Sequence, residues 1–341
     1  ITVAGKLETA DLDASGTDTG DVTVQTDNGN ITLTSTTDNN PAIDSSKAAI
    51  VHAYATDAEG ATSGEGSVTI NGDVTAATTA NIGAKTGDVK LTGVATSATG
   101  TTLETLTNGD VTVEGKLVTT SNTGDVNVKA TEGQVSLTKA ASDTQNEVIN
   151  SGHDAFITAT DTIVDGTPAD TDGNITIAGN ITAANAVSAS GQNGDMKAGT
   201  GTTQSIINAG TTLDLKTTGN GNIDVIGQLN TKSGDVTVKT ETGAINLHDN
   251  GKADAPVINS GAAADVESTK AGDIDVNDNI VATSSATLKT AQGHVNLTGN
   301  MTANGGNALI QAADSQIDAD DDGNITVKGN VLSATDGVTI T

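Results

Sequence analysis

The chain of 341 residues contains no cysteine, no tryptophan and no arginine, and has only three prolines, one tyrosine and one phenylalanine. Without cysteine there is no disulfide framework, so stability must come from backbone pairing and packing. Aromatic side chains bury the largest apolar areas, and their scarcity argues against one thick core. No stretch approaches the roughly 18 consecutive apolar residues of a membrane-spanning helix. The core is therefore left to valine, isoleucine, leucine and alanine, which suit many thin layers.

The charge is strongly negative, with 43 acidic residues against 15 lysines and a net charge of −28. Nucleic acids and anionic lipids bind through clustered lysine or arginine, so we expect neither nucleic-acid binding nor membrane insertion. The 59 threonines and the absence of cysteine favour a secreted, extracellular or cell-surface bacterial protein. The same composition is also typical of salt-adapted organisms. Because both ends read as strand interiors, we expect a processed or partial piece of a longer chain.

A short motif recurs throughout: glycine, then aspartate or asparagine, then apolar, polar and apolar residues. Glycine permits a positive φ, and we expect the Asp or Asn side chain to bond its own backbone, so that the pair turns the chain. The alternation that follows predicts a short, half-buried strand, whereas helix signals are nearly absent. Copies begin at Gly20, Gly29, Gly87, Gly109, Gly124, Gly173, Gly221, Gly234, Gly272 and Gly323, with looser copies at Gly66, Gly133, Gly194, Gly243 and Gly293.

A longer repeat lies over the short one. The segment Ile1–Leu7 recurs from Val111, Ile223 and Ile325. Independently, an Ile-Asp/Asn-Ser anchor recurs at 43–45, 149–151 and 258–260. Both anchors give a period of about 105 residues. We therefore predict three super-repeats in one continuous rod, at 1–110, 111–222 and 223–324, with residues 325–341 starting a fourth.

Short strands at turn-punctuated spacing favour a solenoid. The alternative is a string of three β-sandwich domains of immunoglobulin-like size. Such domains need bulky core residues, and the copy from Ile223 onward contains no aromatic residue. The predicted fold is therefore all-β: a right-handed parallel β-helix (β-solenoid) with about 20 residues per coil.

Strings such as Gly20–Val24 and Gly173–Ile177, in a chain rich in threonine, alanine and asparagine, resemble the filamentous-haemagglutinin-like exoproteins. These are large bacterial surface adhesins, many of them exported by two-partner secretion. The resemblance extends over the whole chain. It implies a secreted fibrous shaft that displays or spaces binding regions.

The predicted function is the structural shaft of a secreted cell-surface fibre or adhesin. We expect partners of two kinds: continuation in a longer chain, or self-association end to end. The alternative is a recognition module that binds a glycan or host receptor through once-per-repeat segments with weak strand motifs. These segments are Thr36–Glu65, Ala140–Asp172 and Asp249–Lys270.

We expect no enzymatic activity and no catalytic residue. The sequence has no Gly-X-Ser-X-Gly elbow, HExxH helix or phosphate-binding loop. Abundant carboxylates leave a polysaccharide-cleaving β-helix enzyme as an alternative, but such enzymes usually carry arginine and aromatic residues along their groove. Threonines that alternate outward would suit ice binding, but Lys90, Asn127, Asp224 and Asp275 interrupt the array.

One acidic run predicts a metal site. Asp318, Asp320 and Asp322 precede Gly323 and match the first half of a calcium loop, with oxygen ligands at alternate positions. The bidentate glutamate expected six residues past the glycine is missing, since Gly329 stands there. The alternative is a solvated acidic turn between coils. Calcium is the one cofactor that the sequence suggests.

Asparagine and histidine provide weaker signals. The four histidines, His52, His153, His248 and His294, are far apart in the sequence, and we expect exposed turn or strand residues instead of metal ligands. The Asn-X-Ser/Thr sequons suggest glycosylation, although chance from composition or asparagine side chains stacked as internal ladders would produce the same pattern. The glycosylation candidates are Asn30, Asn174, Asn180, Asn296, Asn300 and Asn324.

Overall fold

A computed structural model of the chain describes residues 1–9, 20–36, 41–56, 61–141, 143–162, 172–201, 203–248, 255–313 and 323–341. The chain divides into two compact units, Ile1–Gly173 and Asn174–Thr341. Within the described ranges, both units consist of strands joined by turns and bends, without helix. The predicted all-β class is therefore confirmed.

The first unit contains short strands in a regular succession. They are β1 (Thr2–Ala4), β2 (Leu7–Glu8), β3 (Val22–Gln25), β4 (Ile31–Thr34), β5 (Ile43–Ser45), β6 (Ala49–Ala53), β7 (Ala55–Thr56), β8 (Thr62–Ser63), β9 (Val68–Asn71), β10 (Val74–Ala76), β11 (Thr79–Thr86), β12 (Val89–Ser97), β13 (Gly100–Asn108), β14 (Val111–Thr119), β15 (Asp125–Thr131), β16 (Val135–Thr138), β17 (Glu147–Ser151) and β18 (Ala155–Thr160).

The second unit continues the same pattern of short strands. They are β19 (Ile175–Ala178), β20 (Asn180–Ala183), β21 (Val187–Gln192), β22 (Met196–Ala198), β23 (Ser205–Ala209), β24 (Leu213–Asn220), β25 (Ile223–Thr231), β26 (Val236–Thr242), β27 (Ile245–His248), β28 (Ile258–Ser260), β29 (Ala264–Ala271), β30 (Ile274–Asn277), β31 (Ile280–Ala282), β32 (Ala286–Thr290), β33 (Val295–Thr298), β34 (Met301–Ala303), β35 (Ala308–Ala312), β36 (Ile325–Lys328), β37 (Val331–Ser333) and β38 (Val338–Ile340).

Apart from the short antiparallel pair β7–β8, strands pair with the strand one coil further along the chain, and these pairings are parallel. In the first unit, β9, β12, β14 and β16 pair in succession on one face, and β6, β11, β13, β15 and β18 on the other. The second unit repeats this arrangement, with β25, β27, β30 and β33 on one face and β24, β26, β29 and β32 on the other. A chain that returns to the same face once per coil is a parallel β-helix, as predicted.

The coil length varies more than the sequence predicts. Val68, Val89, Val111 and Val135 are partners in register, which gives coils of 21, 22 and 24 residues. The coil from Ile31 to Val68 has 37 residues. It includes residues 37–40 and 57–60, which lie outside the described part of the chain.

The core consists of rows of apolar side chains that stack from one coil to the next. These ladders form because the register places similar residues on each other in successive coils. Val68, Val89, Val111 and Ile31 have no exposed surface. On each strand they alternate with outward-facing polar side chains, as in the buried–intermediate alternation of β14. Each such side chain contributes about 1.5–3 kcal/mol on burial, so many small residues can replace a few aromatic ones.

The two sequence anchors of the long repeat are neighbours across coils. Leu117 pairs with Ile149, and Leu229 pairs with Ile258, so the second and third copies of the first anchor each lie against a copy of the second anchor. Leu7 and Ile43 are paired in the same way. The three super-repeats describe recurrence in the sequence, whereas the division after Gly173 follows contacts and falls within the second of them. The three-repeat organisation stays a prediction.

Several motif glycines are required for two reasons at once. Gly109 has a φ of +143°, which side chains rarely adopt. A Cβ atom on Gly109 would also lie 2.3 Å from the carbonyl oxygen of Gly87, the motif glycine of the preceding coil. We call the turn at a motif glycine, where the chain passes into the next strand, a corner. At this corner the coils are therefore stacked glycine on glycine.

We predict that Gly109→Ala destabilises the chain much more than Gly5→Ala. Gly5 has a similar φ of +130°, but a Cβ there would meet nothing within 4 Å. Gly5→Ala should cost about 1–2 kcal/mol from backbone conformation alone, and Gly109→Ala about 3 kcal/mol or more because the clash is added. Urea-induced unfolding followed by circular dichroism measures both. Equal losses would show that stacking does not constrain this corner.

Candidate functional site

The acidic or amide residue of the motif connects successive coils. Asp88 Oδ1 accepts a hydrogen bond from the backbone N–H of Asp110 at 3.0 Å, and Asp110 Oδ1 accepts one from Gln134 N–H at 2.9 Å. In the second unit, Asn222 Oδ1 accepts from Ala244 N–H at 2.8 Å. The expectation that these side chains bond their own backbone is therefore wrong. The glycine makes the turn, and the side chain satisfies an N–H of the next coil.

Buried hydroxyl groups satisfy the carbonyl groups of the same corners. Thr105 donates to the carbonyl oxygen of Gly109 at 2.9 Å, and Thr240 donates to that of Gly243 at 2.9 Å. Both threonines are at most 1% exposed. A buried hydroxyl or carbonyl without a partner costs about 1–3 kcal/mol, so each pair removes two such penalties. Part of the threonine content thus has a structural role inside the coils.

The predicted calcium ligands Asp318, Asp320 and Asp322 lie outside the described residues. The structure describes the adjacent Gly323, which has a φ of +84° and donates its N–H to the carbonyl oxygen of Gly293 at 3.1 Å. Calcium binding by this run stays a prediction.

At least five of the six glycosylation candidates use their side-chain amides between coils. The amide nitrogen of Asn296, the atom that would carry a glycan, donates to Asp275 Oδ1 at 2.7 Å. Asn300 forms an exposed asparagine ladder with Asn279 and Asn330. Such ladders were one of the predicted alternatives, although this one lies at the surface. The side chains with these contacts are Asn30, Asn174, Asn180, Asn296 and Asn300, while Asn324 is exposed. Glycosylation stays a prediction.

The histidines occupy separate environments. The ring of His52 stacks on Tyr54 with a centroid distance of 4.5 Å, and burial lowers the pKa of His52. His248 Nε2 lies 3.3 Å from Asp224 Oδ1. The histidines do not approach one another as a ligand set, but one of them joins two carboxylates.

His153 lies between two aspartates at a corner of the first unit. Its Nδ1 donates to Asp125 Oδ1 at 2.8 Å and lies 3.1 Å from Asp154 Oδ2. The hydrogen bond to Asp125 and the charge of Asp154 raise the pKa of His153. The three residues place one potential ligand atom each within 4.8 Å of one another.

Sequence reasoning missed this group because it compared the histidines only with one another. A signal was present, since Asp125 follows a motif glycine and His153 follows the Ser151 anchor. Joining the two required the register of β15 with β18, whose strands begin 30 residues apart.

A second polar surface lies on the outward face of β13, β15 and β18. Thr102, Asn127 and Phe156 are partners in register, with Glu104 and Lys129 beside them. Together with neighbouring residues they line an open groove of about 260 Å³. Phe156 is one of only two aromatic residues in the chain, and its exposed fraction is 37%. This exposure is unusual, because aromatic side chains are highly buried on average. The groove combines an apolar ring with hydrogen-bonding groups and charges of both signs.

The fold and the corner geometry define a protein of the parallel β-helix class. No family model, curated protein or solved structure matches the chain. In the described part of the chain, no helix is long and apolar enough to cross a membrane. The resemblance to filamentous-haemagglutinin-like exoproteins stays a prediction.

We predict that Asp110→Ala destabilises the chain by about 1–2 kcal/mol, because the N–H of Gln134 loses its acceptor. The side-chain amide of Gln134 also loses its bond to Asp110 Oδ2. Asp110→Asn keeps an acceptor oxygen and should cost less than about 0.5 kcal/mol. Thr112→Ala, on the adjacent strand, is the matched control. If the alanine and asparagine variants unfold at the same urea concentration, the inter-coil bond contributes nothing.

Proposed function

We propose that this chain is a structural segment, the shaft of a secreted bacterial surface fibre or adhesin. One observation carries the proposal: at a motif corner such as that of Gly109, the glycine stacks on the preceding coil, Asp110 accepts an N–H of the next coil, and the buried Thr105 hydroxyl bonds the carbonyl oxygen of the corner. Residues that an ordinary binding protein could direct at a ligand are used here for joining coils. Such a chain resists extension because many bonds must break together.

The charge distribution supports the same role. Lysines contact acidic residues of an adjacent coil, as where Lys239 lies 2.7 Å from Asp265 and 3.2 Å from Glu267. These half-exposed pairs are worth little individually. They place the scarce positive charges along the coils, while the net charge of −28 opposes side-by-side association of chains.

Single-molecule pulling on the full chain tests this proposal. We expect force peaks, with length released in steps of one coil. A 22-residue coil such as Val89–Asp110 should release about 75 Å, given about 3.4 Å per extended residue. The same chain in concentrated urea is the control and should extend smoothly. Smooth extension in native buffer would overturn the shaft proposal.

A second candidate is recognition of a glycan or host receptor. The predicted once-per-repeat segments lie partly outside the described residues, at 37–40, 57–60, 142, 163–171 and 249–254. The exposed Phe156 favours a different place, the outward face of β18. An aromatic ring beside amide, hydroxyl and charged groups suits a sugar, whose apolar face stacks while its hydroxyls bond.

We predict that a glycan bound on an array would lose at least about tenfold in affinity on Phe156→Ala, equivalent to about 1.4 kcal/mol of lost stacking. Ile50→Ala is the matched control, since Ile50 is an outward-facing apolar residue of β6 on the same face. An array without any hit, or equal binding by both variants, would remove this candidate and leave the shaft proposal standing.

A further inference from the structure

We propose that Asp125, His153 and Asp154 form a site for a divalent transition-metal ion that joins two adjacent coils. Asp125 begins β15, and the other two residues directly precede β18, the parallel partner of β15. The inference is independent of the proposed function, because it concerns one corner and holds whether the chain is a shaft or a recognition module.

The three side chains are close to the geometry of a metal site. The imidazole nitrogen lies 2.8 Å from Asp125 Oδ1 and 3.1 Å from Asp154 Oδ2. Ligand atoms about 2.1 Å from a tetrahedral ion lie about 3.4 Å apart. The two nitrogen–oxygen separations must therefore widen to about 3.4 Å, and the two carboxylate oxygens, which lie within 4.8 Å of each other, must reach the same spacing. Side-chain rotations provide changes of this size. The side chains of His153 and Asp125 are 40% and 37% exposed, so water can reach the group and complete the coordination.

The backbone beneath the site is held in place. The Ser151 hydroxyl donates to the carbonyl oxygen of Asp154 at 2.6 Å, and His153 N–H donates to that of Gly124 at 3.1 Å. Asp125 Oδ1 also accepts from the N–H of Asp154 at 3.1 Å. The three ligands thus stand on a corner whose conformation is fixed without the ion, so little ordering is required on binding.

Two equivalent corners among the described residues lack this set. The three corners are numbered along the chain. The aspartate that accepts the N–H of the next coil is Asp21 at the first corner, Asp125 at the second and Asp235 at the third. The residues that correspond to His153 and Asp154 are Lys47 and Ala48 at one corner, and Ala262 and Ala263 at the other. The corner therefore folds without a histidine or a second carboxylate.

The comparison also shows that positive charge is accommodated there. Lys47 Nζ lies 3.8 Å from Asp21 Oδ1, in the place that His153 takes beside Asp125. At the second corner the lysine is replaced by a metal ligand and an alanine by a carboxylate. One nitrogen and two carboxylate oxygens suit Zn²⁺, Co²⁺ or Ni²⁺ better than Ca²⁺ or Mg²⁺, which prefer oxygen ligands alone.

Calorimetric titration of the full chain with ZnCl₂ tests the site, in a non-coordinating buffer with about 0.15 M NaCl to screen diffuse charge. We expect one Zn²⁺ site of clearly higher affinity than the diffuse background. His153→Ala and Asp154→Ala should each weaken it at least about tenfold, as loss of a ligand must cost at least as much as loss of an outer-shell partner. Both variants place alanine where the third corner already has it, so folding should be retained.

A gain-of-site variant completes the experiment. The double substitution Ala262→His with Ala263→Asp reproduces the ligand set beside Asp235, and we expect a second Zn²⁺ ion per chain. His248→Ala is the control and should leave the titration unchanged, although His248 also lies beside an aspartate. The proposal is overturned if no site exceeds the background, if His153→Ala retains full affinity, or if CaCl₂ binds the same site as tightly as ZnCl₂.

Discussion

Each coil of this protein depends on its neighbours for hydrogen bonds to its backbone. Apart from the short antiparallel pair β7–β8, the described strands do not pair with the strand next to them in sequence, because the chain turns away and returns to the same face only after 21 residues or more. Its N–H and C=O groups must be bonded by the coils above and below, at the spacing of about 4.8 Å that parallel pairing imposes. This requirement fixes the register of the ladders. The register then places valine on valine in the core and glycine on glycine at the corners.

The five-residue motif follows from that spacing. At a corner the backbone of one coil approaches the carbonyl group of the previous one, so a side chain at Gly109 would collide with Gly87. Polar groups at the turn cannot join the regular ladder, and nearby side chains therefore bond them. The Asp110 carboxylate bonds the N–H on one side, and the Thr105 hydroxyl bonds the carbonyl on the other. Glycine, a short acceptor and a buried hydroxyl thus solve three parts of one packing problem.

The sequence was sufficient to predict what repeats locally. Alternation with a period of two predicts strands, and the lack of aromatic residues predicts a thin core; both are properties of short windows. It was not sufficient to predict contacts between coils, since coil lengths vary and the partner of a side chain cannot be found by counting. The prediction that Asp88 bonds its own backbone was wrong for this reason, because its partner is the N–H of Asp110, 22 residues later. The group around His153 could not be predicted for the same reason, because Asp125 is 28 residues earlier in the sequence.

The backbone requirement leaves some side chains free to vary, and there this protein can carry chemistry. The corners at Asp21, Asp125 and Asp235 share the same acceptor bond to the next coil, yet the residues beside them are Lys47, His153 and Ala262. Such variation costs little stability, since these positions are partly exposed and the backbone groups of the corner already have hydrogen-bond partners.

The scarcity of positive charge determines which substitutions at these positions are favourable. With 15 lysines against 43 acidic residues, most carboxylates cannot find a lysine partner. A corner where two carboxylates meet is therefore stabilised by any other cation within reach, whether an imidazolium or a metal ion. In a chain of this composition, the excess of carboxylates and the tolerance of the corner positions to substitution together favour cation sites at the corners.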